Sequence, residues 1–198
     1  CYKLLFSNSK AIILSDRLYY DVCNYFDRDD VFICQNGIPV VDNNYHVGSK
    51  LRLLFLSNLF KSKGVYELLD ACKILVDKNI DFMCDFVGDE GDISKQDFDR
   101  RVDDLKINAY VIYHGKKYGA EKNNFFKNAH IFVHPTLEDC FPIVLLEALN
   151  FHLPVISTNV GAIEDIVISN FNGYVLKHLD GESLAERIIS LSSDSEKM

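Results

Sequence analysis

From about residue 50 onward, short apolar runs alternate with helix-patterned stretches, and no other feature of the sequence restricts the possible folds as strongly. The apolar runs are 52–57, 82–87, 110–114, 131–133, 153–157 and 174–176. Between them the pattern predicts helices over 65–76, 94–105, 120–128, 142–151 and about 164–168, with a last amphipathic helix starting at Asp180 or Ser183. Successive strands joined through a helix run parallel, with right-handed crossovers. The expected class is therefore α/β, a Rossmann-like parallel sheet with helices on both faces. Of the 198 residues, 48% are hydrophobic, which is ample for a sheet packed on both sides.

The first fifty residues carry one more unit of the same kind. A strand over 11–14 leads into a helix capped by Ser15 or Asp16 and running to about residue 26, and a strand follows over 31–34. The unit ends in the turn Asn36-Gly37-Ile38-Pro39, and the polar stretch 42–50 reads as a linker. Residues 1–48 are thus expected to end one domain and carry the linker, with 49–198 as a second domain. The chain opens on Cys1, close to an apolar strand and without a cap, which predicts a remnant of an N-terminal domain whose earlier part is absent.

Charge and cysteine usage narrow the partners. The net charge of −8 is spread without a long acidic run. Binding a phosphate backbone wants clustered Lys and Arg, and only Lys61, Lys63, Lys116 and Lys117 form local groups, so nucleic acid is not an expected partner. Cys1, Cys23, Cys34, Cys72, Cys84 and Cys140 make no C-x-x-C pair and mostly fall in apolar segments, predicting reduced core thiols in a cytosolic protein. No uncharged apolar run approaches the roughly 20 residues that cross a bilayer, and no charged-then-apolar leader opens the chain. His114 and His134 belong to no H-x-x-x-H or H-x-H set, so no metal or other cofactor is expected.

In open sheets of this class, ligands bind beyond the carboxyl ends of the strands, which makes the following loops the candidates. The loop from Asn58 to Gly64 carries Lys63, readable as a phosphate ligand or as a solvated lysine. Gly88-Asp89-Glu90-Gly91-Asp92 is not G-x-G-x-x-G, and its carboxylates would repel a pyrophosphate, so its glycines read as sharp turns. Gly115 permits close approach, and beside it Lys116 and Lys117 add positive charge or simply face solvent.

The densest stretch runs from His134 to Gly161. An apolar strand ends at Pro135, an acidic turn follows, and Pro142 sits where the first turn of a helix accepts it. Glu147 is the only charge on that helix, with Val144 one turn before and Phe151 one turn after. A buried, unpaired carboxylate is costly, and the cost disappears if it accepts hydrogen bonds from a hydroxylated ligand. Asp139 lies beside the helix start, where it could hold another hydroxylated group near free backbone N–H donors that suit phosphate oxygens. Two plainer readings stand beside these: Asp139 as a helix cap, and Glu147 as an exposed helix residue.

Asp139 and Glu147, with Phe141, Pro142, Leu146 and Ala148 between and after them, resemble the acidic pair of the retaining glycosyltransferases of family 4, which have the GT-B fold. That motif is usually E-x-x-x-x-x-x-x-E; here Asp139 takes the first place. The family also shows G-R-L-x-x-x-K-G after its first donor-domain strand. Lys63 and Gly64 match it, whereas Ser57 and Asn58 replace the Gly and Arg. The N-G-I-P turn resembles the hinge between the two halves of these enzymes.

The resemblance implies the donor half of a GT-B fold over 49–198, preceded over 1–48 by a remnant of the Rossmann-like acceptor-side domain and the hinge. It places Asp139 on the donor sugar, Glu147 on the ribose and Lys63 on the diphosphate as catalytic residues. Asn58, Gly64, Gly115, Lys116, Lys117, Cys140, Phe141, Pro142, Ile143 and Leu146 are the implied donor-binding set. The implied reaction moves a sugar from a UDP- or GDP-sugar to an acceptor hydroxyl with retention of configuration, in polysaccharide or glycoconjugate synthesis. A glycan or lipid-linked acceptor would be held by the absent N-terminal part, so these residues alone are expected to bind donor and transfer little. The full protein would be cytoplasmic, with peripheral membrane association open to it. Two rivals are a GT-B nucleotide-sugar epimerase and a non-catalytic nucleotide-sugar binding module; Asp139 and Asn58 are the residues that would support loss of activity.

Overall fold

The computed structural model describes residues 6–40, 48 and 50–193. Most of the linker over 42–50, Cys1 and residues 194–198 lie outside them. Two parallel sheets are present among the described residues. The small one pairs β1 (Ala11–Ile13) with β2 (Val31–Ile33). The large one contains β3 (Leu51–Leu56), β4 (Phe82–Val87), β5 (Val111–Tyr113), β6 (Ile131–His134), β7 (Val155–Thr158) and β8 (Gly173–Leu176), in the order β5-β4-β3-β6-β7-β8.

Every neighbouring pair in the large sheet is parallel. Side chains alternate across such a strand, and here both faces are apolar. Leu53 and Phe55 bury on one face against α2 (Val65–Asp77), α3 (Lys95–Leu105) and α6 (Gly181–Ser192), through Leu68, Leu69, Phe98, Leu184 and Ile188. Leu54, Phe132 and Val155 bury on the other against α4 (Gly119–Asn128) and α5 (Ile143–Asn150), through Phe126, Leu145 and Ala148. The expected α/β architecture, helices on both faces of a parallel sheet, is the one observed.

Among the described residues one carboxylate is buried in the sheet. Asp85, on β4, takes both Nε and Nη2 of Arg52 (3.0 and 2.7 Å) on one oxygen and Nε2 of His114 (2.7 Å) on the other. The fork and the imidazole satisfy the carboxylate, and they tie the end of β5 to the sheet just before Gly115.

Local readings fail at two helices and at the cysteines. The expected helix at about 164–168 is only a 3-10 turn, Ile163–Asp165. Its β-branched residues serve the core instead, and the Asn172 side chain takes the Ile168 N–H (2.7 Å) and donates to the Ile166 carbonyl (3.0 Å), ending the turn. The helix expected to reach residue 26 is a 3-10 turn, Asp16–Leu18, followed by the single-turn α1 (Tyr19–Val22). The chain turns there because the Val22 carbonyl accepts from both Tyr25 and Phe26, whose rings pack on Phe6. Ser15 caps the first turn, as expected, by accepting from Arg17 N (3.1 Å). Among the described cysteines Cys72 and Cys84 are buried, whereas Cys23, Cys34 and Cys140 are exposed, because they fall in turns and just beyond element ends rather than in the packed faces. No described helix is long and apolar enough to cross a membrane.

Candidate active site

The strand order reverses between β3 and β6: from β3 the chain builds outward through β4 and β5, then crosses to β6 and continues to β8. A crevice opens at such a point beyond the carboxyl ends, and the loops after β3 and β6 form its walls. They are locked together. Leu137 N donates to Ser62 O (2.7 Å), and Thr136 Oγ1 to Ser62 O (3.3 Å). Gly64 ends the 3-10 turn Lys61–Lys63 at φ 72°, and a Cβ there would lie 1.9 Å from the Pro135 carbonyl oxygen. Only glycine combines that backbone with that approach.

Asp139 and Lys63 meet across this crevice. Lys63 Nζ donates to Asp139 Oδ2 (2.8 Å) and to the Glu138 carbonyl (2.6 Å), which leaves one of its three N–H donors for another acceptor. His134 Nε2 lies 3.2 Å from the same Oδ2, and Cys140 N donates to Oδ1 (3.1 Å). Asp139 therefore does not cap α5, whose first helical residue is preceded by Pro142 with no side-chain cap at all. Pro142 stands just before the helix rather than in its first turn. The turn is sealed from behind by Gly161 (φ 54°), where a Cβ would lie 2.2 Å from the Asp139 carbonyl oxygen, and by Ala162 N on Cys140 O (2.7 Å).

Burial and charge oppose each other at Asp139. Partial burial pushes the carboxyl up, but the His134 imidazole and the Lys63 ammonium together hold it below its ordinary 3.8. Burial pushes His134 below its ordinary 6.5 despite the Asp139 contact. A neutral imidazole with Nε2–H on Asp139 fits this arrangement, and its Nδ1 is buried with no partner among the described residues. Asp139 is an ionised acceptor held by three donors.

Glu147 is not unpaired. Lys122 Nζ, reaching from α4, donates to its Oε1 (2.6 Å), and both side chains are about three-quarters buried, at 23% and 25% exposed. The apolar flanks anticipate its burial but not its partner.

The remaining candidates divide. Asn58 faces its neighbouring loop and accepts the Asp89 N–H (3.0 Å). Gly115 has φ 65° with nothing within 4 Å of a Cβ position, and its carbonyl accepts from Gly88 N (3.1 Å). Lys116 pairs with Asp89 (3.2 Å) and lies over the Tyr118 ring, while Lys117 pairs with Glu121 one turn on (3.6 Å). Phe141 and Pro142 are buried, Leu146 half-buried, and Cys140 and Ile143 exposed. An open cleft of about 800 Å³ runs past Glu138, Asp139 and Cys140 toward Leu14, Arg17 and Asp21 of the small-sheet unit. Arg17 binds Glu164 and Asp165 (both 2.8 Å), and Ser15 also donates to Asp165, so the two units are clamped beside the cleft.

Sequence reasoning passed over His134, Lys122 and Arg17. In the sequence His134 raises only the question of a metal ligand, although its place at a strand end five residues before Asp139 is visible. The partners of Lys122 and Arg17 lie 25 and 148 residues away, beyond any local signal.

Comparison with known proteins gives one consistent result. The family described as Glycosyl transferases group 1 matches residues 42–198. The capsular polysaccharide biosynthesis glycosyltransferase CapM of Staphylococcus aureus is 28% identical over 170 residues, covering 85% of this chain and 42% of CapM. The amylovoran biosynthesis glycosyltransferase AmsK of Erwinia amylovora is 28% identical over 148 residues, covering 72% of this chain and 36% of AmsK. The chain thus spans less than half the length of these two relatives. Among solved structures, sucrose-phosphate synthase from Thermosynechococcus elongatus superposes with a TM-score of 0.83 at 17% identity, over 98% of this chain and 52% of that one. Anabaena HepE, solved with UDP and glucose, gives 0.78 at 19% identity, over 96% and 55%.

Proposed function

Because the chain belongs to the glycosyl transferases group 1 family, we propose that its switch-point crevice binds a nucleoside-diphosphate sugar and serves a retaining, family 4-type transfer of that sugar to an acceptor hydroxyl. The observation that carries this reading is the meeting of Lys63 and Asp139 between the loops after β3 and β6. Lys63 keeps one donor for a phosphate oxygen of the leaving diphosphate while its other two hold the Asp139 turn. Asp139, ionised and with its oxygens aimed by His134 and Cys140, is an acceptor for a sugar hydroxyl. Glu147 is the acceptor for the ribose. Gly115 leaves its surroundings open for a base, and Lys116 adds charge at the rim.

The donor site is assigned to residues 49–198, and residues 1–48 to the acceptor side and its hinge. The cleft between the small-sheet unit and Asp139 is the entry for a glycan or lipid-linked acceptor. HepE was solved with UDP and glucose, and CapM and AmsK are named for polysaccharide biosynthesis, which supports a UDP-sugar donor and a polysaccharide product here. The reaction is placed in the cytoplasm, on or near the membrane face.

One observation favours a second reading. Asn58, where the resembling motif has Arg, is committed to the Asp89 backbone, so a charged phosphate contact is missing there. A donor-binding protein without transfer would be the result. Calorimetric titration with UDP, GDP, ADP and UDP-sugars decides the binding. One nucleotide is expected to bind, weakened by Lys63→Ala and by Glu147→Ala by about 1–3 kcal/mol each, as lost charge-assisted hydrogen bonds require. Failure of a folded protein to bind any of them overturns the donor site. Binding without transfer or hydrolysis on supplied acceptors selects the second reading.

A further inference from the structure

The pairing of Glu147 with Lys122 joins the helix after the β5 loop to the helix after the β6 loop, which is a wall of the crevice. Lys122 sits in the first turns of α4, directly after the Gly115–Tyr118 loop, and Glu147 projects from α5, directly after the Asp139 turn. Their side chains are about equally buried, and each has the other as its only ion-pair partner among the described residues. Lys122 uses one N–H on Oε1. No other hydrogen bond among the described residues reaches Glu147 Oε2 or the two remaining N–H groups of Lys122, so an acceptor and a donor stand side by side, each about a quarter exposed, on the helices that follow β6 and β5.

A vicinal diol fits such a pair. Each hydroxyl is both donor and acceptor, so one can donate to Glu147 Oε2 while its neighbour accepts from Lys122 Nζ. The pair also solves an electrostatic problem. A bare carboxylate that holds ribose would repel the diphosphate of the same ligand, and in a half-buried site that repulsion is poorly screened. Lys122 cancels the charge without occupying the second oxygen. We propose that Lys122 is a specificity-determining residue of the donor site, which with Glu147 recognises the ribose diol and so selects ribonucleoside over deoxyribonucleoside diphosphates. This rests on the donor reading above.

The test uses whichever of UDP, GDP and ADP binds best, together with its 2′-deoxy and 3′-deoxy forms. Wild-type protein is expected to prefer the ribonucleotide over at least one deoxy form. Lys122→Met, of nearly equal length and without charge, is expected to weaken the ribonucleotide about tenfold, to weaken the disfavoured deoxy form much less, and so to flatten the preference. Lys122→Arg should retain most of it. Lys122→Gln serves if the Met variant does not fold, as judged by thermal unfolding, and is expected to flatten the preference likewise because its chain is too short to hold Glu147 and reach the ligand. A Met or Gln variant that folds and keeps the full wild-type preference overturns this proposal alone, as does wild-type protein that binds all three forms equally. Wild-type protein that binds no nucleoside diphosphate overturns it together with the donor reading.

Discussion

Two carboxylates follow β6, Asp139 in the turn and Glu147 on α5, each holding a lysine, and they are positioned by opposite means. Asp139 lies on a turn without regular structure, and its place depends on two glycines that admit close backbone, three donors on its oxygens, and a neighbouring loop hydrogen-bonded to its own. Glu147 is placed by α5 itself, with one ion pair added. The first arrangement is rigid only if many distant residues agree. The second survives most single changes, because a helix carries its side chains in a fixed direction.

The comparison breaks most visibly at the glycines. Gly64→Ala adds a Cβ 1.9 Å from the Pro135 carbonyl at a left-handed φ, and is expected to destabilise the protein by about 3 kcal/mol in chemical denaturation. Binding that depends on Lys63 should fall with it more than binding that depends on Glu147. Equal losses at both carboxylates would show that the two regions are not independently built.

Lys63→Met comes next. Nucleoside-diphosphate affinity in calorimetry is expected to fall by about 2 kcal/mol, and unfolding stability should change far less, since His134 and Cys140 still hold Asp139. Glu147→Gln keeps shape and hydrogen bonding while removing the charge. A loss of about 1 kcal/mol in nucleotide affinity is expected there, with little change in the melting curve.

Acidification gives the smallest and most local contrast. The folded protein keeps His134 neutral below its ordinary 6.5, so the unfolded chain takes up the proton first and stability falls as pH drops below about 6.5. Asp139, held below its ordinary 3.8, contributes stability that is lost only at lower pH, as the medium falls through its depressed value. His134→Gln, with an amide that can still donate to Asp139, should remove the first phase and leave the second. Denaturation curves at pH 7 and 5.5 that shift equally in the variant and the wild type would contradict it.

Much of the fold was legible because it repeats. The run at 82–87 matches β4 residue for residue, and five further runs became strands with shifts of a residue or two, because apolar runs of that length bounded by turns have few other uses. The misread helix at Ile163–Asp165 shows the limit: a β-branched, apolar stretch reads as an element, but a side-chain cap from Asn172 and the needs of the core decided its form. Among the candidate residues, Asp139 and Glu147 stand out through their spacing and neighbours, and Lys63 through its match to the Lys-Gly of the resembling motif. What holds them is not legible in the sequence, because the contacts of His134 with Asp139 and of Lys122 with Glu147 exist only in the folded chain.

The sequence by itself determined the α/β class, the alternation that buries both faces of the sheet, and which carboxylates lie after which strand, because these follow from local periodicity and chain order. Only the tertiary structure decided that β3 and β6 are neighbours and that Lys63 therefore meets Asp139, that Glu147 is neutralised by Lys122, and that Arg17 clamps the small-sheet unit to Asp165. Such pairings join residues far apart in the chain, and their energy exists only once the sheet order has brought them within a few ångströms.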